Sequence, residues 1–416
     1  MERVLKLSVA ALLCCLCAVP AASAAGAPYD PNTVIVRYAD GASASQRSLA
    51  GRVAGVLETL GRVMSAELVR VNGDPAAVAA RLNRSASVLY AEPNYVVRAS
   101  APQIPDDARF AELYGLHNTG QSAGTVDADI DAPEGWGSVP ALAGFPADDG
   151  VKVGIVDTGI AAGHEDLSGK VADCAGVKNF GINLLIITLL SDPTIVAGKC
   201  ADDNGHGTHV AGTIAARANN GAGVAGVAFN SRLAICKALD SAGSGTVAAI
   251  ANCISYLASV GSKVISMSLG TTAASATLAN AVAAASTNAL LVAAAGNGGD
   301  GALNYPAAYP QVVSVAATDR NDARASFSTF NDDVEIAAPG VDVLSTYNDG
   351  GYRAISGTSM ATPHVAGVGA LIAGKLGGGP AQWRARLDAA VDDRGAPGRD
   401  PQFGFGRVNL AKALAP

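Results

Sequence analysis

The chain has 416 residues, 49% of them hydrophobic but only 5% aromatic, with 48 Gly and a formal net charge of −7. That length allows one or two domains with a large buried core. From Gln103 onward 19 basic residues face 29 acidic ones, a net of −10, which argues against nucleic acid as a partner.

Residues 1–24 read as an export signal: Arg3 and Lys6 start it, an apolar run follows over 7–19, and Ala22-Ser23-Ala24 forms a small-residue cleavage site. No later apolar run approaches the roughly 18 residues of a membrane span, so a secreted protein without a membrane partner is expected. Residues 25–102 form a small α+β unit. Its strand candidates are 33–38, 66–71, 88–90 and 95–98, and its helical candidates are 42–54 and 75–83, the second with Asp74 as cap. A Pro- and Ala-containing stretch, 99–105, reads as a linker. The remainder, 103–416, alternates strand and helix patterns. Strands are expected at 151–156, 233–238, 263–268, 289–295, 312–317 and 334–337, and helices at 209–217, 246–260, 277–287 and 360–375. Alternation of this kind predicts an α/β fold, a mostly parallel sheet with helices on both faces.

Three of the seven cysteines lie in the signal segment, leaving Cys174, Cys200, Cys236 and Cys253. An even number in an exported protein implies disulfides. Three pairings are possible, and nearness in sequence favours Cys174–Cys200 with Cys236–Cys253. Each closed loop would contribute about 3 kcal/mol if the chain-entropy account holds. The alternative is four buried thiols; a zinc site is disfavoured because no Cys-x-x-Cys spacing occurs.

Four short motifs carry chemistry. The strand candidate 151–156 ends in Asp157-Thr158-Gly159, at the edge where open α/β sheets bind ligands. Asn204-Gly205-His206-Gly207-Thr208-His209 opens a helix. Asn297 follows the strand candidate 289–295, and Ser359 stands in Gly357-Thr358-Ser359-Met360-Ala361-Thr362-Pro363 at the start of a long apolar helix, with Pro363 expected in its first turn. A serine nucleophile needs a base, and the base needs a carboxylate to fix its tautomer and stabilise its charge. Asp157, His206 and Ser359 supply those parts, and the Asn297 amide with the Ser359 N–H can hold an oxyanion. Each motif alone has a plainer explanation: serine caps helices and Asn-Gly makes turns.

Together, in this order and spacing, the four motifs resemble the subtilisin-like serine proteases, the subtilases. The resemblance spans about residues 105–412. It implies a subtilisin-like three-layer catalytic domain over 103–416 and, over 25–102, an inhibitory, folding-assisting propeptide ending near Ala91-Glu92-Pro93-Asn94-Tyr95. It implies a monomeric secreted endopeptidase that forms an acyl-enzyme and is made as an autoprocessed zymogen, with peptides and its own propeptide as partners. The rivals are a catalytically inactive peptide-binding member of the fold, and an esterase, which would be expected to carry a Gly-x-Ser-x-Gly elbow. By the same resemblance Ser268-Leu269-Gly270 and Gly243-Ser244-Gly245 would flank an added substrate strand. Ala294, Ala295 and Gly296 would line the first specificity pocket, whose small walls suit uncharged side chains. A structural calcium would be held by Asp107, Asp166 and Asn220. One stretch departs from the family pattern: residues 182–197 form an apolar insertion containing Leu184-Leu185-Ile186-Ile187.

Overall fold

Local capping signals start the helices of the N-terminal part. Ser43 and Gln46 form a reciprocal capping box ahead of α1 (Ala44–Ala54), and the Asp74 carboxylate accepts from the amides of Ala76 and Ala77 ahead of α2 (Pro75–Leu82). The computed structural model describes residues 29–95, 101–146, 148–178 and 193–415, and the chain divides into two compact units between Ala99 and Ser100. The expected signal segment and the apolar residues 183–190 lie outside the described residues.

In the first unit β1 (Tyr29–Tyr38), β2 (Val56–Val63), β3 (Ala66–Val71) and β4 (Val88–Tyr95) form an antiparallel sheet in the order β2-β3-β1-β4. Alternate residues Val34, Val36, Val69 and Val71 meet Val78 and Leu82 of α2 in one core. One strand goes unrecognised in the sequence and one expectation needs correcting. β2 carries no apolar alternation and its residues are largely exposed, so its pattern did not mark a strand. The strand expected at 88–90 runs on to Tyr95 as β4 and continues through Pro93; of the strand expected at 95–98, residues 96–98 lie outside the described residues. Proline is tolerated there because β4 is an edge strand.

The second unit runs α3 (Ala132–Gly137), β5 (Lys152–Asp157), β6 (Val171–Val177), β7 (Ile195–Ala197), α4 (His206–Ala215), β8 (Arg232–Lys237), α5 (Val247–Ser259), β9 (Val264–Met267), α6 (Ala276–Ala285) and β10 (Leu290–Ala294). It continues β11 (Val312–Thr318), β12 (Val334–Pro339), β13 (Val343–Thr346), β14 (Tyr352–Ile355), α7 (Thr358–Leu376), α8 (Pro380–Ala389), β15 (Val391–Asp392), β16 (Arg407–Val408) and α9 (Leu410–Ala413). Among the described residues the large sheet has ten strands in the order β15-β16-β12-β11-β10-β9-β5-β8-β6-β7. Its pairs are parallel except at the edges, β15 with β16 and β6 with β7. Each central strand feeds both faces. Val153 and Ile155 of β5 pack with Val210, Ile214, Val365 and Val368 of α4 and α7. Val156, beside Ala234 and Cys236 of β8, packs with Ile254 and Leu257 of α5 and Val282 of α6. The result is a three-layer α/β/α unit. The chain leaves β5 toward β8 and β6 and later fills β9 to β12 on the other side. The switch point where ligands bind therefore lies at the carboxyl ends of β5 and β9.

Two disulfides are formed, Cys174–Cys200 and Cys236–Cys253, the second tying β8 to α5. The last part of the insertion, β7, pairs with β6 beyond Cys174.

Helix α7 is buried from Met360 to Ala373. It approaches its neighbours so closely that a Cβ on Gly367 would fall 2.6 Å from Val227 Cβ, and one on Gly369 2.8 Å from Leu290 Cδ2. Gly367→Val is therefore expected to overpack the core and lower stability by about 1–3 kcal/mol, read as an earlier urea midpoint. An unchanged midpoint would show that α7 can shift away from Val227.

Candidate active site

The ends of the elements converge at the switch point. Asp157, the last residue of β5, is fully buried. Its Oδ1 accepts from the Thr158 amide at 2.7 Å and pairs with His206 Nδ1 at 2.8 Å; Oδ2 has no hydrogen-bond partner. His206 is the first residue of α4, so the helix starts three residues earlier than its apolar pattern indicates. Its side chain is 27% exposed. Burial pulls its imidazole down, but the charge and hydrogen bond of Asp157, helped by Asp202, carry it above its ordinary value. His209, three residues on, is fully buried and binds the Val343 and Arg353 carbonyls at 2.9 and 3.0 Å through Nε2. Burial pushes it down to about 3. Of the two histidines in the motif, only His206 pairs with a carboxylate and faces the cleft.

Ser359 is the second residue of α7. Pro363 is the sixth, in the second turn and not the first as expected. Proline has no N–H for the carbonyl four residues back, and that carbonyl belongs to Ser359. Ser268 Oγ donates to it instead at 2.8 Å, while Ser359 Oγ donates to Ser268 O at 3.2 Å. This reciprocal pair ties the loop after β9 to the start of α7. The Ser359 hydroxyl is thus turned to Ser268 and not to His206, an arrangement common in unliganded sites.

Asn297 follows β10. Its Oδ1 accepts from the Thr358 amide at 2.9 Å and from Thr358 Oγ1 at 3.0 Å, which turns Nδ2 outward. A Cβ placed on Gly357 would lie 3.6 Å from both Asn297 Nδ2 and Ser359 N. Two N–H donors therefore border one small open space beside the serine, and glycine at 357 keeps that space clear.

A cleft of about 430 Å³ runs from His206 past Gly243, Gly245, Ser268, Leu269 and Gly270 to Leu278 and Tyr305. Ser244 does not line it; its backbone bonds Asp240 and closes the turn. Ala294 and Ala295 are buried, 3% and 2% exposed. Asn304, which sequence reasoning missed, donates to Ala294 O at 2.8 Å. It also stands where a Cβ on Gly270 would fall, 2.1 Å from Nδ2, and 3.3 Å from a Cβ on Gly296. Nothing in its sequence context, Leu303-Asn304-Tyr305, signals that position.

Asp107, Asp166 and Asn220 come together away from the cleft. Asn220 Nδ2 donates to Asp166 Oδ1 at 2.9 Å, and the Val224 amide and the Tyr352 hydroxyl reach Asp166 Oδ2 at 2.9 and 3.0 Å. Asp107 Oδ2 accepts from the Asn219 amide at 2.7 Å, while its Oδ1 is buried without a partner. Burial, with Asp166 nearby, pushes the Asp107 carboxyl up to about 6. A second acidic group, Asp127, Asp129 and Asp131, has carboxylate oxygens within 4.8 Å of one another. It is bound by protein donors: the Asn118 amide reaches Asp129 at 2.6 Å and Asn409 reaches Asp131 at 2.5 Å.

The chain is similar to known proteins. Residues 148–406 match the model of the subtilase family, and residues 18–94 match a fervidolysin N-terminal prodomain. Thermitase of Thermoactinomyces vulgaris is 43% identical over 286 residues, covering 68% of this chain and 93% of that protein. A thermophilic serine proteinase of Bacillus sp. strain AK1 is 36% identical over 390 residues, covering 93% and 88%. Among solved structures, a protease from Pseudoalteromonas arctica PAMC 21717 superposes with a TM-score of 0.63 at 31% identity, covering 74% of this chain and 98% of that one.

The His206 imidazole is expected to titrate above its ordinary value near 6.5. Asp157→Asn removes the opposing charge and leaves burial in control, so the titration should then fall below that value. Imidazole ¹H–¹⁵N NMR from pH 4 to 9 checks both. A wild-type midpoint below 6 would contradict the role assigned to the Asp157 charge.

Proposed function

The chain belongs to the subtilase family of serine proteases, and from that premise we propose that it is a secreted endopeptidase working through Asp157, His206 and Ser359, made as an autoprocessed zymogen. The observation that carries the reading is the convergence of a buried Asp157–His206 pair at 2.8 Å with two N–H donors facing one space beside Ser359. In this reading Ser359 Oγ leaves Ser268 O when substrate enters and attacks the scissile carbonyl carbon. His206 Nε2 takes its proton, and Asp157 holds Nδ1–H and stabilises the imidazolium. The oxyanion sits between Asn297 Nδ2 and Ser359 N. The proton passes to the leaving amine, and water then hydrolyses the acyl-enzyme by the same route. The peptide lies along the cleft between Gly243–Gly245 and Ser268–Gly270 as an added strand, with broad preference for uncharged side chains near Ala294, Ala295 and Gly296.

We assign residues 1–24 to a signal, 25–102 to a propeptide that inhibits its own enzyme, and 103–416 to a monomeric catalytic domain. N-terminal sequencing and intact mass of the secreted protein test those bounds.

Calcium fits the other cluster. Asp107 and Asp166 present carboxylate oxygens suited to a hard cation, and the buried, unpartnered Asp107 Oδ1 is an acceptor that a cation would satisfy; Asn220, whose Nδ2 now faces Asp166 and whose Oδ1 accepts from the Ala222 amide, would turn its oxygen to the ion. The ion would neutralise two buried carboxylates and tie the 217–224 loop down; it has no part in catalysis.

Three outcomes test this reading. Ser359→Ala should abolish labelling by a serine-directed phosphonate and leave the propeptide attached; persistent labelling would place the nucleophile elsewhere. Asn297→Ala should lower kcat by about 10²–10³ with little change in KM, the loss established in subtilisin itself for one oxyanion donor. Chelation should lower the thermal midpoint, because an ion that binds only the folded state at about 100 times its Kd contributes about 2.7 kcal/mol. Asp166→Ala should remove most of that sensitivity, and a wild-type midpoint indifferent to chelator would eliminate the site.

A further inference from the structure

Three hydroxyl and carboxyl groups outside the proposed triad interlock the two segments that carry it. Thr158 follows Asp157 at the end of β5. Asp202 lies in the loop between Cys200 and α4. Thr208 is in the first turn of α4. The Asp202 carboxylate accepts five hydrogen bonds. Oδ1 takes Thr158 Oγ1 at 2.9 Å, the Asn204 amide at 3.0 Å and the Gly205 amide at 2.9 Å. Oδ2 takes the Thr208 amide at 2.9 Å and Thr208 Oγ1 at 2.5 Å. The threonines extend the clamp in both directions: the Gly207 amide donates to Thr158 Oγ1 at 2.8 Å and the Ala161 amide to Thr208 Oγ1 at 3.0 Å.

We propose that Asp202 is the positioning residue for His206: its carboxylate locks the end of β5 to the start of α4, so that the imidazole and Asp157 are held in register. This rests on the catalytic reading above. The stereochemistry is specific. All five donors point at one carboxylate, and both amide and hydroxyl donors come from residues within two positions of Asp157 or His206. An uncharged amide at 202 offers one acceptor oxygen where two are used, so at least one set of donors at the helix mouth is left opposed by N–H groups.

The same carboxylate carries charge toward His206 and adds to the upward pull of Asp157. Its own acidity is strengthened, since burial acts against the anion but the bonds from Thr208, Gly205 and Asn204 outweigh it. The other ionisable groups near the pair compete little for this role. Asp203 is paired with Lys237 of β8 at 2.7 Å, and His209 on α4 is neutral. Tyr347, from beyond β13, binds the Asn204 carbonyl at 3.0 Å through its hydroxyl.

The test is a kcat/KM profile on a peptide amide from pH 5 to 10. Wild type, Asp202→Asn, Asp202→Glu and Thr158→Val are compared, with circular dichroism to confirm folding. Asp202→Asn should lose between about 10- and 100-fold in kcat, the scale of a misplaced catalytic group, with KM little changed. Its acidic limb should move to lower pH, because a negative charge that favours the imidazolium has gone. Asp202→Glu restores the charge and should return the limb toward wild type. Thr158→Val severs the bridge and keeps the charge, so it should lower kcat with the limb in place. A folded Asp202→Asn enzyme with the wild-type limb overturns the inference alone. If Asp202→Asn does not fold, a Thr158→Val enzyme with wild-type kcat overturns it. A wild-type enzyme with no acidic limb overturns the catalytic reading and this inference together.

Discussion

The close seat of α7 against its neighbours is the constraint on which the rest depends. A helix that is apolar on nearly every side has no solvent face, so it must lie inside. Gly367 and Gly369 let it approach Val227 and Leu290 at distances no larger residue permits. Once seated, its first turn meets the carboxyl ends of β9 and β10, and Ser359 and Thr358 contact Ser268 and Asn297 directly. Pro363 belongs to this arrangement. By withholding an N–H it frees the Ser359 carbonyl for Ser268, so that a sheet loop, and not the helix's own ladder, fixes the backbone of the serine.

Burial acts alike on the buried imidazoles of this unit, and partners decide the outcome. His206 has Asp157 and is carried upward. His209 and His364 have only carbonyl oxygens and fall to about 3 and about 4. The same contrast governs the cations. Arg407 is fully buried yet charged, because Asp322 and Asp392 bond it from two sides and the Asp127 carbonyl from a third. Such a group is stable only as a set, and loss of one partner leaves a buried charge uncompensated.

The sheet and its helices were legible because buried parallel strands are short apolar runs. The runs near 264–267 and 290–294 need no partner to be recognised. β6 and β14 escaped because their residues are partly exposed and mix polar with apolar types, and β13 because it is short and half polar although mostly buried; their pairing is decided by tertiary contact. The residues of the candidate site were nameable from four motifs, but their relations were not. That His206 heads its helix, that Ser359 is held by Ser268, and that Asn304 fills the space behind Gly270 all depend on segments distant in sequence. Asp202 was passed over because a carboxylate two residues before Asn204 has no periodicity to mark it.

The groups around Ser359 come from β5, α4, the ends of β9 and β10, and the start of α7, which spans residues 358–376 and lies late in the chain. Val153 and Ile155 of β5 pack against Val365 and Val368 of α7, so the sheet that carries Asp157 needs α7 to complete its core. Ser359 and one of the two N–H donors beside it stand together on this helix. In the proposed mechanism a chain cut short before α7 would be inert, because the segment that closes the hydrophobic interior also brings the nucleophile.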